Sequence, residues 1–136
     1  MRISLKVEYA CRVMIQLARY YGSDHLAHIE ELAEAENVPQ NYLVQILNEL
    51  RNGGLINSKR GKRGGYMLAR DPETVTLRDI IAVMDPEMLN SRLSEQGQSG
   101  HALAAVWDEV SDSLKSSVSK HSLRELMPAA SDVYYI

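Results

Sequence analysis

The sequence predicts a mainly α-helical protein with a small β-hairpin, a winged helix-turn-helix followed by a long C-terminal helix. Three observations lead to this fold class: two short helical patterns joined by a tight turn over 29–54, a basic glycine-rich hairpin over 58–70, and one long amphipathic stretch after residue 100. The chain has 136 residues, of which 45% are apolar and 24% are charged. This composition is typical of an ordinary globular domain, here with a helical extension.

The first helix is expected to begin after Ser4, whose hydroxyl can cap it, and to end near Tyr21, before Gly22. Its apolar residues recur every three or four positions at Ile3, Val7, Ala10, Met14, Leu17 and Tyr21. The single cysteine, Cys11, lies in this helix. We expect a small buried apolar side chain there, and a redox-active thiol is the alternative.

The helix-turn-helix is predicted from two short helices that pack around a turn at Asn37, whose short amide tolerates the left-handed conformation. Pro39 opens the second helix, because the N–H that proline lacks would have no partner in a first turn, and Gly53 and Gly54 end it. The apolar and small positions are Leu32, Ala33, Val38, Leu43, Ile46 and Leu47. The exposed early positions are Gln40, Asn41, Tyr42, Val44 and Gln45.

The segment after the second helix is predicted to form a hairpin wing, with two short strands around a basic glycine-rich loop. Residues 51–70 contain six basic residues and no acidic residue. They are Arg51, Lys59, Arg60, Lys62, Arg63 and Arg70. Such a block fits a phosphate backbone or an A·T-rich minor groove. A solvated basic loop is the alternative, which the position directly after a helix-turn-helix disfavours.

The net charge of −3 conceals an uneven distribution of charged residues. Residues 51–70 carry +6, residues 85–136 carry −4, and the rest of the chain carries −5. Because the positive field is local, the sequence indicates one docking face for nucleic acid and no general affinity for polyanions.

After the wing, a capping box of Thr76 and Asp79 predicts a helix from Leu77 to Met84, which Asp85 and Pro86 end. The next residues lose apolar periodicity and gain Ser, Gln and Gly, as a flexible loop would. The expected organisation is a DNA-binding domain over 1–86, a flexible loop over 87–100, and a dimerisation helix with a C-terminal tail over 101–136.

The long helix is predicted from His101 to Lys120. One face carries Leu103, Val106, Trp107, Val110, Leu114 and Val118. This face can pack back on its own domain or pair with its twin in a homodimer. The dimer is favoured because helix-turn-helix modules read two half-sites about one helical turn apart. Ser122 and Glu125 form a second capping box, for a short helix that ends at Pro128.

A set of motifs between Val38 and Asp85 is characteristic of one group of proteins. The motifs are Tyr42-Leu43, Leu47, Leu50-Arg51, Gly54-Leu55, Arg60-Gly61, Gly64-Gly65-Tyr66, Leu68-Ala69-Arg70, Thr76-Leu77 and Asp79-Ile80. With them the chain resembles the Rrf2 family of bacterial transcription regulators over nearly its full length. The resemblance implies a homodimeric, winged-helix DNA-binding regulator, which we expect to be a repressor.

The resemblance also implies which residues contact DNA. The second helix of the helix-turn-helix would be the recognition helix. Its first turns would read the major groove through Gln40, Asn41, Tyr42 and Gln45. Amide side chains there suit adenine edges, and tyrosine suits phosphate. The arginine after the first wing strand, Arg60, would enter the minor groove, with Lys59, Lys62 and Arg63 on phosphates. Val44 stands where the cluster-binding regulator of the family typically has a glutamate, so we do not expect the same DNA preference.

Better-known members hold an iron–sulfur cluster through three cysteines in the segment before the long helix. Here that segment has Ser91, Ser94 and Ser99 but no cysteine, and serine is a poor iron ligand beside a thiolate. We therefore expect no metal and no cofactor, with a cluster held by atypical ligands as the alternative.

The sequence shows no Ser, His and Asp in the order of a catalytic triad, no phosphate-binding loop and no paired-carboxylate motif. An enzyme is therefore not expected.

The chain has no secretory signal and no apolar run near the ~20 residues that span a bilayer, so a cytoplasmic protein is expected.

The C-terminal tail ends in Tyr134, Tyr135 and Ile136. Cluster-free members include a regulator of cysteine metabolism that binds cysteine synthase, an enzyme that accepts partner C-termini ending in isoleucine. The resemblance thus implies an alternative in which the tail binds a metabolic enzyme. Packing of the tail on a neighbouring subunit is the simpler interpretation.

Overall fold

The computed structural model describes residues 3–127. The elements in chain order are α1 (Leu5–Ala18), α2 (Ile29–Glu36), α3 (Gln40–Asn52), β1 (Ile56–Lys59), β2 (Gly65–Leu68), a 3₁₀ turn (Pro72–Thr74), α4 (Leu77–Met84), α5 (Glu87–Asn90), α6 (Gly100–Ser119) and α7 (Leu123–Leu126). This order confirms the predicted fold class, which is mainly helical with one two-stranded antiparallel hairpin among the described residues. The helix predicted from Leu77 to Met84 has those bounds.

The signals predicted for the first helix are present, and the helix is shorter than expected. The Ser4 hydroxyl accepts a hydrogen bond from the backbone N–H of Val7 at 3.3 Å. The helix ends at Ala18 and not near Tyr21, because the N–H groups of Tyr20 and Tyr21 bond three residues back and tighten the last turn. The chain then reverses at Gly22, whose φ of 84° favours glycine.

The turn between α2 and α3 has the predicted conformation. Asn37 is left-handed, with φ 52° and ψ 51°, and the N–H of Val38 bonds to the carbonyl of Ala33 at 3.0 Å. Pro39 is the N-cap of α3, so the helix begins at Gln40, one residue later than predicted. The Pro39 carbonyl accepts from the N–H of Leu43 at 3.0 Å. The turn and the cap together fix where α3 leaves α2.

One core joins the winged helix-turn-helix to the C-terminal part of the chain. Its largest fully buried side chains include Met14, Leu17, Leu32, Leu43, Ile46, Leu47, Leu50, Ile80 and Leu123. Leu123 enters it because its N–H bonds to the carbonyl of Val75 at 2.9 Å, while the N–H of Leu77 bonds to the carbonyl of His121 at 3.0 Å. The expected boundary at residue 86 therefore does not divide the core.

The predicted loop over 87–100 is corrected at its start, where α5 forms. Pro86 is its N-cap, the Asn90 amide donates to the Pro86 carbonyl at 3.0 Å, and Leu89 is buried in the core. Four residues are too few to show an apolar period, so a helix this short has no periodic signal in the sequence. Residues 91–99 contain no helix or strand.

The apolar face of α6 is divided between two environments. Leu114 and Val118 pack against the core of their own chain. Leu103, Val106, Trp107 and Val110 are exposed by 58%, 57%, 39% and 42%. The Ser122 half of the second capping box is present, since its hydroxyl accepts from the N–H of Glu125 at 3.3 Å. Pro128 and the tail residues Tyr134, Tyr135 and Ile136 lie outside the described residues.

Within residues 3–127, no helix combines the length and the apolar character that a membrane span requires.

Candidate nucleic-acid interface

Helix α3, the predicted recognition helix, has one fully buried face and one exposed polar face. Leu43, Ile46, Leu47 and Leu50 are all 0% exposed, which fixes the helix against the core. At 3.6 residues per turn, the positions between them must face outward. The predicted contact residues Gln40, Asn41, Tyr42 and Gln45 are exposed, together with Val44.

The wing is a regular antiparallel hairpin. Ile56 pairs with Leu68 at its base, and Lys59 pairs with Gly65 at its outer end. The tip is closed by a hydrogen bond of 2.9 Å from the N–H of Gly64 to the carbonyl of Gly61. The predicted contact residues Lys59, Arg60, Lys62 and Arg63 lie at the end of β1 and in this tip, and all four are exposed.

None of these four basic side chains forms an ion pair with a residue that the structure describes. Arg70, in contrast, donates to the carboxylate of Asp79 at 3.0 Å and to the carbonyl of Thr74 at 3.3 Å. Arg51 bridges α3 and β1 through Asn48 and Ser58, at 3.2 and 3.3 Å. The basic block thus divides into uncompensated charge at the tip and two structural arginines.

The wing is attached to the segment before α2 by a backbone bridge. The N–H of Ala27 bonds to the carbonyl of Tyr66 at 3.0 Å, and the N–H of Tyr66 bonds to the carbonyl of Ala27 at 2.8 Å. A Cβ added at Gly65 would meet the Ala27 carbonyl oxygen at 2.7 Å, so only glycine permits this approach. Ala27 was not among the predicted site residues, and the only sequence signal of this close contact is the Gly64-Gly65 pair.

The described residues offer no evident site for an iron–sulfur cluster. Cys11 is the only cysteine in the sequence and lies in α1. Ser91, Ser94 and Ser99, in the segment that precedes α6, are exposed. Within residues 3–127, no group of three or more His, Cys, Asp or Glu side chains could hold a metal ion. This donor set does not fit a cluster held by three thiolates.

Cys11 has the properties of an inert thiol. Burial, and then the negative charge of Glu8, raise the pKa of the thiol from its ordinary 9.0 to about 11. Since the thiolate is the nucleophile, alkylation with iodoacetamide at about pH 8 should be about 100-fold slower than for an exposed cysteine. Unfolding in urea should restore the ordinary rate. Rapid alkylation of the folded protein would contradict this assignment and indicate a reactive site.

Comparison with known proteins gives the same fold and one family. The model of the Rrf2 family, described as "Iron-dependent Transcriptional regulator", matches residues 3–129. The HTH-type transcriptional regulator CymR of Bacillus subtilis is 32% identical over 126 residues, which cover 93% of this chain and 89% of CymR.

Solved structures agree with this result. The structure of CymR, described as the global cysteine regulator of B. subtilis, superposes with a TM-score of 0.80 at 31% identity, over 93% of this chain and 95% of CymR. The IscR structure of T. potens gives a TM-score of 0.77 at 28% identity, over 93% of this chain and 85% of that chain. The relatives are named as transcriptional regulators, not as enzymes. The chain therefore belongs to the Rrf2 family and is a winged-helix transcriptional regulator.

Proposed function

We propose that the protein is a cytoplasmic homodimer that binds a specific operator and represses transcription without an iron–sulfur cluster. The observation that carries this proposal is the pairing of an exposed polar face on α3 with four basic side chains in the wing that have no acidic partner among residues 3–127. In a chain with a net charge of −3, this local arrangement suits one polyanionic partner bound in one orientation.

The early turns of α3 supply groups for base recognition. Gln40, Asn41 and Gln45 end in amides, which both donate and accept and can therefore pair with N6 and N7 of adenine in the major groove. The Tyr42 hydroxyl suits a phosphate oxygen, which positions the helix without reading sequence. The buried opposite face keeps these groups from turning away when DNA is absent.

The wing is assigned to the minor groove and the flanking phosphates, with Arg60 as the inserted residue. Arg60→Ala should weaken operator binding by about 1–3 kcal/mol. The measurement is fluorescence anisotropy with a duplex that the wild-type protein selects from a randomised library. Arg70→Ala is a matched control, because Arg70 is already paired with Asp79 and should contribute little. Unchanged affinity of folded Arg60→Ala would contradict the minor-groove assignment.

Dimerisation through α6 is supported by the exposed part of its apolar face. In a single copy, part of α6 exposes a contiguous apolar surface to solvent, formed by Leu103, Val106, Trp107 and Val110. A second copy of the same helix, related by a two-fold axis, would cover both faces at once. It would also join two α3 helices in one molecule, which the reading of two half-sites requires.

The proposed absence of a cluster has a direct test. Protein purified without oxygen should be colourless and iron-free, and should bind the selected duplex as tightly before as after exposure to air. The support for this expectation is the single cysteine and the serines before α6. A brown sample that contains iron, with affinity that changes on oxidation, would contradict it and require other ligands.

A further inference from the structure

Two tyrosines connect α1 to the exposed face of α3. The ring centroids of Tyr9 and Tyr42 are 5.7 Å apart and the ring planes meet at 83°, an edge-to-face contact. Tyr9 is half-buried and packs against the core. Tyr42 is still 38% exposed. The ring of Tyr42 is therefore held by α1 while part of it remains open to a partner.

Arg12 holds Tyr9 in turn. Its guanidinium carbon lies 5.0 Å from the centroid of the Tyr9 ring, within the range of a cation–π contact. One guanidinium nitrogen donates to the backbone carbonyl of Glu36 at 3.0 Å, and another donates to the carboxylate of Glu8 at 3.3 Å. Glu36 is the last residue of α2, where carbonyls lack helical partners. Arg12 thus joins α1 to the point where α2 turns into α3.

A side chain held in one orientation loses less conformational entropy when it binds than a freely rotating one does. Tyrosine has two side-chain torsions, and contact with Tyr9 limits both for Tyr42. Tyr42 also stands beside Asn41 in the first turn of α3, so its phosphate contact would set the register of the amides that read bases.

We propose that Tyr9 and Arg12 are positioning residues for operator recognition, which hold the Tyr42 ring in the orientation that meets the DNA backbone. The inference rests on the proposed function and deepens it, because it assigns a recognition role to α1 side chains that lie behind the recognition helix. Neither residue needs to touch DNA for this role.

The test is a double-mutant cycle on DNA binding. The probes are the duplex selected by the wild-type protein and a duplex of scrambled sequence. Tyr9→Leu, which removes the ring, should weaken binding of the selected duplex about fivefold. The scrambled duplex should lose less affinity, because the phosphate contact serves both duplexes while the register of the amides matters only for the selected one. Tyr9→Phe keeps the ring and should bind as the wild type does. In a Tyr42→Ala background, Tyr9→Leu should cause no further loss.

Two results would overturn the positioning role while the proposed function stands. The first is that Tyr9→Leu lowers the affinity for the selected duplex equally with and without the Tyr42 ring. The second is that Tyr9→Leu lowers the affinity for both duplexes by the same factor. Arg12→Lys covers the case in which Tyr9→Leu does not fold, since lysine keeps the charge without the planar guanidinium. It should weaken binding only when Tyr42 is present, and a loss independent of Tyr42 would contradict the proposal. A wild-type protein that selects no sequence would overturn the proposed function itself, and this inference with it.

Discussion

Replacement of Val110 by aspartate is expected to weaken operator binding by about 100-fold or more, because a dimer would no longer hold two α3 helices on one duplex. Val110 is 42% exposed in the single chain, so the added carboxylate stays hydrated there and the protomer should fold. In a dimer the same carboxylate would be buried in an apolar contact without a partner, which is costly. The variant should sediment as a folded monomer.

Ser116→Asp is the matched control. Ser116 is exposed and, at about 100° per residue, lies on the side of α6 opposite Trp107. Ser116→Asp introduces the same charge on the same helix as Val110→Asp. General effects of charge on DNA affinity should therefore appear in both variants. Analytical ultracentrifugation without DNA and anisotropy with the selected duplex measure both properties. A dimeric Val110→Asp variant with wild-type affinity would place the dimer contact elsewhere.

Replacement of Gly64 by alanine is expected to distort the wing and to lower the free energy of unfolding by about 2–4 kcal/mol. The new Cβ would lie 2.0 Å from the carbonyl oxygen of Lys59, and a backbone atom cannot rotate aside as a side chain can. Relief requires opening of the hairpin end where Lys59 pairs with Gly65. Operator affinity should then fall further than in Arg60→Ala, because the whole basic tip moves.

Gly61→Ala separates this clash from ordinary backbone strain in the same hairpin. Gly61 has a φ of 107°, but a Cβ there would meet no atom within 4 Å. Gly61→Ala should therefore lower the free energy of unfolding only through backbone strain, by about 1–2 kcal/mol. Urea denaturation gives the two free energies, and amide exchange at Lys59 and Gly65 shows whether the hairpin end has opened. An effect of Gly64→Ala no larger than that of Gly61→Ala would contradict the assigned close contact.

The parts of the fold that the sequence predicted well depend on local signals. The residue type of Asn37 predicts its left-handed backbone. Thr76 and Asp79, three positions apart, form a capping box that predicts where α4 begins. The exposed face of α3 follows from apolar periodicity alone. These features need no knowledge of what lies across the fold, and the structure has them at or within one residue of the predicted positions.

The contacts that the sequence did not predict join distant parts of the chain. The bridge of Ala27 with Tyr66 and the edge-to-face contact of Tyr9 with Tyr42 have no pattern of their own in the sequence. The apolar face of α6 looks continuous in sequence, and only the fold shows that Leu114 is used by the core while Val110 is left exposed. The DNA contacts and the dimer remain predictions for the same reason, since each depends on a partner.

The most direct test of the proposed function is selection of duplexes by the wild-type protein from a randomised library, followed by the stoichiometry and salt dependence of the selected complex. We expect an inverted repeat with half-site centres about 10 base pairs apart, two protomers on each duplex, and affinity that falls steeply with salt. Enrichment of no sequence, with weak binding that is insensitive to salt, would contradict an operator-binding dimer.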